Sequence, residues 1–226
     1  MKKTLLLLAL FAGSLLSANA QTASEYLSAY VVPGAQKQLA IQLKNDVDYT
    51  ACQMTITLPE GMTFAGDAVL SSRSNAHQIK SQPSSDNKSM TVVLFSYGEV
   101  DGATTGNLAF KRSEGAVLLV NVNIDESILG KLTTGNFDIN GITLSNVEFV
   151  KNQGLAKNKD LTLGKTGILG DVDGNKMLNT VDASLILSKL VGETFSDFNN
   201  EASDLDCDGN VNTVDASLIL EELVRQ

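Results

Sequence analysis

The chain has 226 residues and a formal net charge of −9, which is long enough for one or two domains with cores of their own. The acidity is uneven: residues 167–226 hold twelve Asp or Glu against Lys176, Lys189 and Arg225, whereas residues 21–166 hold fourteen acids against twelve bases. This distribution argues against nucleic acid as a partner, because phosphate binding needs clustered Lys and Arg, and it favours a divalent cation.

The first twenty residues have the pattern of a secretory signal peptide. A basic start is followed by an apolar run over residues 5–16 and by a small-residue cleavage site that ends at Ala20. The run is shorter than the roughly 20 residues that a membrane-spanning helix needs; a retained membrane anchor is the alternative. We therefore predict an exported protein, secreted, periplasmic or at the cell surface, with no integral membrane segment after cleavage.

The region from residue 21 to residue 150 shows the alternating hydrophobicity of β-strands. Apolar residues recur in six runs, at 39–43, 52–58, 90–97, 117–124, 137–144 and 147–150. Clusters of Gly, Asn, Asp and Ser separate these runs, and this arrangement predicts an antiparallel β-sandwich. The polar segment 71–88 is predicted to be a loop or a weak edge strand.

Two cysteines are present, and they fall in different predicted regions. Cys52 occupies an inward position of a predicted strand, where we expect it to behave as a small buried hydrophobe. A disulfide with Cys207 would have to join one region to the other.

Past Gly167 the apolar period changes to the three-and-four spacing of amphipathic helices. The nine residues at 179–187 (NTVDASLIL) recur unchanged at 212–220, an offset of 33 residues. Each copy carries an apolar stripe, formed by Ala183, Ile186, Leu187 and Leu190 in the first and by Ala216, Ile219, Leu220 and Leu223 in the second. So strict a repeat predicts two copies of one loop–helix unit.

A twelve-residue acidic loop precedes each predicted helix. In such loops Ca²⁺ takes oxygen ligands from positions 1, 3, 5, 7, 9 and 12, with position 7 using its backbone carbonyl. These positions hold Asp171, Asp173, Asn175, Met177, Asn179 and Asp182 in the first loop, and Asp204, Asp206, Asp208, Asn210, Asn212 and Asp215 in the second. We predict two Ca²⁺ sites; the alternative is two solvated acidic turns in which the last Asp caps a helix.

The first site is predicted to bind Ca²⁺ more weakly than the second. Position 6 favours Gly for a sharp turn, and Gly209 supplies it in the second loop, whereas Lys176 occupies it in the first. Lys176 also places a positive charge beside the cation. Asn175 removes a negative charge that Asp208 provides in the second loop.

The duplicated pattern D-x-D-x-[ND]-x-x-[LV]-N-T-V-D-A-x-x-[IL]-L resembles the type I dockerin, the calcium module that docks enzymes and scaffolds onto cohesin domains in cellulosome-like assemblies. The resemblance covers about residues 167–226, and the lack of a helical pattern before either loop also fits it. It implies a partner-binding face at loop positions 10 and 11 and on the helix that follows. Carried over, this face comprises Thr180, Val181, Leu187 and Ser188 in the first copy and Thr213, Val214, Leu220 and Glu221 in the second.

Two points about this face stay open at the level of sequence. Leu187 and Leu220 could instead belong to the core of the module. Because both copies have Thr-Val at positions 10 and 11, the module could dock in two orientations related by a half-turn.

The N-terminal region is similar to a cohesin-like β-sandwich of cellulosome-type proteins. The resemblance lies in Val32-Pro33-Gly34, in the strand that ends at Asn45, in the segment 49–61 and in the strand 115–124. It implies a protein-binding sheet face, self-association through the sandwich as one option, and a link to polysaccharide degradation.

The sequence has no pattern that indicates catalysis. Gly-x-Ser-x-Gly, His-Glu-x-x-His and phosphate-loop motifs are absent, and the single histidine, His77, lies in a polar stretch typical of a surface. We predict that the protein is not an enzyme. A carbohydrate-binding surface protein, whose sandwich binds glycan directly, is the alternative function, although the chain has no Trp and only four scattered Tyr to form a sugar platform.

The sequence thus predicts an exported, non-catalytic adaptor that docks a cohesin-type domain in a calcium-dependent way. Its fold class is a mainly β N-terminal domain joined to a small all-α calcium-binding domain. The predicted boundaries are a signal peptide at 1–20, a sandwich at 21–150, a linker at 151–166 and a dockerin-like domain at 167–226.

Overall fold

A computed structural model describes residues 25–74, 77–96, 99–100, 103–104, 113–125, 127–128, 141–151, 157–158 and 162–225. The predicted signal peptide and the apolar positions Phe137 and Ile139 lie outside the described residues. Among the helices that the structure describes, none has both the length and the apolar character needed to cross a membrane.

The described part of the chain contains strands in its N-terminal two thirds and two helices at its end. The strands are β1 Tyr26–Val32, β2 Gln38–Lys44, β3 Tyr49–Thr57, β4 Met62–Leu70, β5 Gln78–Pro83, β6 Ser89–Phe95, β7 Glu99–Val100, β8 Ala103–Thr104, β9 Ala116–Ile124, β10 Thr143–Lys151, β11 Lys157–Asn158 and β12 Thr162–Ile168. The helices are α1 Thr180–Leu190 and α2 Thr213–Arg225, and 3₁₀ turns cover Ser72–Ser74 and Asn200–Ala202.

The strands form two five-stranded sheets that pack face to face. The first sheet has the order β12-β1-β2-β9-β4 and the second the order β11-β10-β3-β6-β5, while β7 and β8 make a separate hairpin. Neighbouring strands run antiparallel, except that β12 runs parallel to β1. The predicted fold class, a mainly β sandwich followed by a small helical region, is confirmed.

The core between the sheets is made by the residues that alternation predicted to face inward. Ile41 of the first sheet and Met54 and Val92 of the second are fully buried in one apolar cluster. The rings of Tyr49 and Phe149 pack in the same cluster with their centroids 4.6 Å apart. Each such side chain contributes about 1.5–3 kcal/mol to the free energy of folding.

Three side chains refine or correct expectations from the sequence. Cys52 lies in the core as predicted, and both Cys52 and Cys207 are buried and free of any disulfide. His77 is buried, not at the surface as its polar neighbours suggested, because the short turn at Ser72–Ser74 folds under it and Ser74 accepts its backbone N–H at 2.8 Å.

The segment predicted to be a linker, 151–166, contains strand residues. Lys151 ends β10, Lys157–Asn158 forms β11, and Thr162–Ile168 forms β12 at the edge of the first sheet. Ile168 pairs with Val31 in β1, and β12 continues straight into the first acidic loop. Residues 162–168 therefore belong to the sandwich and tie it directly to the C-terminal half, by which we mean residues 169–225.

The C-terminal half packs on the outer face of the first sheet. Both faces of β1 and of β2 are consequently buried over their central five residues. Tyr30 and Ala40 on the outer face share an apolar cluster with Leu205 and Ile219 of the C-terminal half. On the second sheet, outward residues such as Gln53 and Thr91 are exposed, so within the described ranges this sheet keeps an open face.

Candidate metal centre

The two acidic loops have the same local fold, as their shared sequence predicts. In the first, the Lys176 N–H donates to Oδ2 of Asp171 at 3.0 Å. In the second, the Gly209 N–H donates to Oδ2 of Asp204, also at 3.0 Å. These bonds join position 6 to position 1 and curl each loop around its first carboxylate.

Carboxylates at several predicted ligand positions converge. In the first loop, one oxygen from each of Asp171, Asp173 and Asp182 lies within 4.8 Å of the others. In the second loop, the converging group is Asp204, Asp206 and Asp208. Position 5 of the first loop is an amide, Asn175, and so supplies no carboxylate to its group. The side-chain NH₂ of Asn175 donates to Oδ2 of Asp173 at 2.8 Å.

The aspartate at position 12 of each loop is fully buried and organises the start of the following helix. Oδ1 of Asp182 accepts the Val172 N–H at 2.9 Å, and its Oδ2 accepts the Asn179 N–H, also at 2.9 Å. Asp215 makes the equivalent pair of bonds in the second loop, at 2.7 and 2.8 Å. The carboxylate at position 12 therefore links the beginning of each loop to its end through hydrogen bonds that need no cation.

The predicted ligands at position 9 serve as N-caps of the helices. The side-chain oxygen of Asn179 accepts the Val181 N–H at 2.7 Å and, with Asp182, completes a capping box. Asn212 accepts the Val214 N–H at 2.7 Å in the same way. Capping holds both Asn side chains at the helix start, so direct or water-mediated ligation by them stays a prediction.

The remaining predicted ligands are backbone carbonyls at position 7. The N–H of Met177 donates to the side-chain oxygen of Asn175 at 2.8 Å, and that of Asn210 donates to Asp208 at 2.7 Å. These turns fix residues 5 to 7 of each loop in the same conformation.

The donor set suits a hard divalent cation, and the first loop contains an oxygen that lacks a partner. Oδ1 of Asp171 is buried and has no hydrogen-bond partner within the described chain. A buried carboxylate oxygen without a donor is costly unless a cation or solvent meets it. Clustered carboxylate and carbonyl oxygens are the ligands that Ca²⁺ takes, so the residues present fit that ion.

Without a cation, burial and the charges of neighbouring aspartates raise the pKa of the first carboxylate of each loop, Asp171 and Asp204. Burial raises the pKa of Asp204 to about 7, with the charge on Asp215 adding to the effect and the Gly209 N–H opposing it. Burial likewise raises the pKa of Asp171 to about 6. A bound cation would remove this penalty, because it favours the charged form of each carboxylate.

Both loops place two residues in the left-handed backbone region, and each has only one glycine to do so. In the first loop Gly174 at position 4 has φ +72° and Lys176 at position 6 has φ +67°. In the second loop the glycine moves to position 6, where Gly209 has φ +91°, and Cys207 at position 4 has φ +57°. Lys176 therefore adopts, at position 6, the left-handed conformation for which glycine is favoured, and this conformation is unfavourable for a residue with a Cβ.

The predicted partner-binding residues lie at the surface. Val181 and Val214 are 53% and 49% exposed, and Leu187 and Leu220 are each 44% exposed. The alternative core placement of the two leucines is therefore wrong: Ala183, Ile186, Ala216 and Ile219 form the buried stripe instead. Of the other predicted residues, Thr180, Thr213 and Glu221 are exposed and Ser188 is half-buried. We refer to these eight residues as the docking faces.

The structure also reveals a polar cluster that the sequence did not predict. The Glu201 carboxylate is buried against β1, where Tyr26, Ser28 and Tyr30 surround it. The only local sequence signal for this cluster is the alternation of Tyr26, Ser28 and Tyr30, which puts three hydroxyl groups on one face of β1.

Comparison with known protein families finds a match in the C-terminal half. Residues 169–224 match the family of the dockerin type I domain, which confirms the resemblance on which the sequence prediction rested. Type I dockerin domains are calcium-binding modules that interact with cohesins. No curated protein matches the chain.

Similarities to solved structures concern cohesins. A non-cellulosomal cohesin from Archaeoglobus fulgidus is 11% identical, with 64% of this chain and 87% of that chain covered and a TM-score of 0.41. A type I cohesin–dockerin complex from Clostridium thermocellum gives 11% identity, 64% and 99% coverage, and a TM-score of 0.45. A type II cohesin domain from Acetivibrio cellulolyticus is 8% identical, with 63% of this chain and 91% of that chain covered and a TM-score of 0.41.

Proposed function

We propose that the protein is an exported, non-catalytic adaptor, whose C-terminal half docks a cohesin-type domain in a calcium-dependent way within assemblies that degrade polysaccharides. The observation that carries this proposal is the exposure of the docking faces. The sandwich covers the opposite side of the C-terminal half and leaves both faces open.

The matched exposure of the two copies supports docking in two orientations. Val181 and Val214 are 53% and 49% exposed, and Leu187 and Leu220 are equal at 44%. Apolar side chains exposed at equivalent places on two repeats offer a partner two similar surfaces. A partner would therefore bind through either copy after a half-turn of the module.

Two Ca²⁺ ions would hold the loops that position these faces. Asp171, Asp173 and Asp182 would take the ion in the first loop, and the second loop would use its carboxylates at positions 1, 3, 5 and 12. Bound Ca²⁺ supplies positive charge that relieves the repulsion among the loop carboxylates. Position 12 then fixes the first turn of each helix, where Thr180-Val181 and Thr213-Val214 lie.

The open face of the second sheet is a further surface for self-association. It lies on the side of the sandwich opposite to the C-terminal half, because that half covers the first sheet. The docking faces of one chain therefore cannot reach the open sheet of the same chain. Self-association through the sandwich would join separate chains head to tail.

Direct glycan binding has less support, since the tyrosines are committed elsewhere. Tyr30 and Tyr49 are buried, and Tyr26 donates its hydroxyl to Glu201. Tyr97 lies outside the described residues. Among the described tyrosines, none presents an exposed ring of the kind that stacks on a sugar.

A binding assay with matched variants tests the proposal. The full chain without residues 1–20 is immobilised, and purified type I and type II cohesin domains are passed over it in calcium or in chelator. We expect one class to bind in calcium only. Val181→Asp alone should weaken binding about twofold, because one of two orientations is lost. Adding Val214→Asp should abolish binding. Val69→Asp is the control, since Val69 on β4 is 51% exposed.

Two results would overturn the proposal. If the double variant Val181→Asp/Val214→Asp still bound a cohesin domain, the docking faces would not be the binding surface. Absence of binding to every cohesin class would reject the cohesin-type partner, and a polysaccharide screen of the same immobilised chain would then test the alternative function.

A further inference from the structure

The outer face of the first sheet packs against the C-terminal half through a shared apolar cluster. Tyr30, Ala40 and Ala116 on that face are buried in the same apolar cluster as Leu205 and Ile219. Two of these sheet residues are alanines, and such small side chains let α2 and the second loop approach the sheet closely. One hydrophobic core therefore contains residues of both halves of the chain.

A buried carboxylate pins the two halves together at the centre of this contact. The side-chain oxygens of Glu201 accept hydroxyl hydrogens from Tyr26 at 2.8 Å, Ser28 at 2.6 Å and Tyr30 at 3.3 Å. The side-chain NH₂ of Gln42 donates to the Glu201 carbonyl at 2.8 Å. All four donors come from β1 and β2.

Two peripheral anchors hold the second loop and α2 on the sandwich. The Lys37 ammonium meets the Glu222 carboxylate at 2.7 Å, with both side chains largely buried. The Ser72 hydroxyl lies 3.1 Å and 3.0 Å from the carbonyl oxygens of Cys207 and Asp208. The second of these carbonyls belongs to Asp208 at position 5, so the sandwich contacts the backbone of a residue whose side chain is a predicted calcium ligand.

The first loop is attached through the sheet. Ile168 pairs with Val31 at the end of β12, and the Leu169 N–H donates to the Val31 carbonyl at 2.9 Å. Asp171, the first predicted ligand, follows two residues later. The Gly170 N–H donates to the Ala202 carbonyl at 2.7 Å and joins the starts of the two loops.

We propose that the sandwich and the C-terminal half are one cooperative folding unit, with Glu201 as the latch that couples the calcium loops to the sheet. Separating the halves would leave the Glu201 carboxylate without its donors and would expose the shared apolar cluster, and both changes oppose local opening. The part of this inference that concerns calcium rests on the proposed function. Calcium held in the loops then stabilises the sandwich, and the docking faces keep a fixed orientation relative to the open sheet.

Hydrogen exchange of the full chain in chelator tests the coupling without calcium. Tyr49→Phe removes a buried hydroxyl that donates to Glu25 at 2.7 Å, within the sandwich and away from the C-terminal half. In one cooperative unit, amides of α1 and α2 should exchange roughly tenfold faster in this variant, by the same factor as amides of β3 and β6. Acceleration in β3 and β6 alone would overturn the proposal.

The matched variant Ser28→Ala/Tyr30→Phe removes two donors to the latch. We expect α1 and α2 to exchange at least roughly tenfold faster than in the wild type, while β3 and β6 change less, because the C-terminal half can now open separately. Equal acceleration in all four elements would contradict the role of Glu201 as the coupling residue.

Calcium provides the third arm. At a calcium concentration a hundredfold above the dissociation constant, each site should slow exchange roughly a hundredfold, in β3 and β6 as well as in the helices. Slowing confined to residues 169–225 would overturn the coupling. Slowing nowhere would reject the proposed calcium sites, and the Tyr49→Phe arm would still decide whether the halves fold together.

Discussion

Replacing Lys176 by glycine should stabilise the calcium-free protein. Lys176 has φ +67°, in the left-handed region, which costs a residue with a Cβ about 1–2 kcal/mol. Glycine removes that cost but returns about 0.4–1 kcal/mol through its greater freedom in the unfolded chain. The net expectation for Lys176→Gly is a gain of about 0.5–1 kcal/mol in the free energy of unfolding.

Lys176→Gln separates the backbone effect from the charge effect. Glutamine keeps a Cβ in the left-handed turn and removes only the ammonium, so the free energy of unfolding in chelator should hardly change. Both variants lose the positive charge beside the first loop, and Lys176 is exposed. Both should therefore bind calcium more tightly at that loop by up to about fivefold, the limit set by solvent screening of an exposed charge.

Gly209→Ala is the reciprocal test in the second loop. A Cβ built on Gly209 has no atom within 4 Å, so the substitution probes backbone conformation without a clash. At φ +91° it should cost about 1 kcal/mol. Urea unfolding in chelator, followed by circular dichroism, measures all three variants. Equal unfolding free energies for Lys176→Gly, Lys176→Gln and the wild type would refute the reasoning.

The remaining predictions concern the loops and the glycine that precedes the first of them. Gly170→Ala should destabilise the protein by about 1–3 kcal/mol in thermal unfolding. Gly170 has φ +99°, and the new Cβ would lie 2.5 Å from Cδ1 of Leu178. An unchanged melting temperature would contradict this prediction. The pKa values of Asp171 and Asp204 are raised to about 6 and 7. The calcium-free fold therefore binds more protons than the unfolded chain between about pH 4 and pH 7. Its free energy of unfolding should fall as the pH rises through that window. For the same reason calcium should bind on the order of tenfold more tightly at pH 7.5 than at pH 5.5 by titration calorimetry, and equal affinities would contradict the raised values. Asp182→Ala should lower the free energy of unfolding in chelator by about 2–4 kcal/mol, because three backbone N–H groups lose their acceptor. Circular dichroism that showed α1 unchanged would count against the capping role.

The sandwich and the loops could be predicted because their signals are local. Alternation at 39–43 and 52–58 marks the inward faces of β2 and β3, and the repeated NTVDASLIL segment marks α1 and α2 together with their loops. Position-by-position reading of the loops located Asp171, Asp173 and Asp182, which the structure brings together.

The attachment of the two halves could not be predicted, because its signals are remote and weak. β12 contains Gly164 and Gly167, lacks clear alternation, and pairs in parallel with a strand more than a hundred residues earlier. Its sequence therefore predicts a linker and not a strand. Glu201 and Ser28 are 173 residues apart in the sequence, and neither short segment has a local pattern that predicts their contact.

The stripe on the helices shows a second limit. Periodicity placed Leu187 with Ala183 and Ile186 on one apolar face, but the core accepts only a narrow stripe of each short helix. Leu187 and Leu220 fall at its margin and face outward. Hydrophobic period alone does not distinguish the edge of a buried stripe from an exposed binding surface.

The central claim is that each of the two acidic loops holds one calcium ion. Calorimetric titration of calcium into the chelator-treated full chain tests this most directly, alongside Asp171→Asn and Asp204→Asn. We predict two equivalents per chain in the wild type, with the weaker one lost in Asp171→Asn and the tighter one lost in Asp204→Asn. Titrations without binding heat, or unchanged stoichiometry in both variants, would contradict the account.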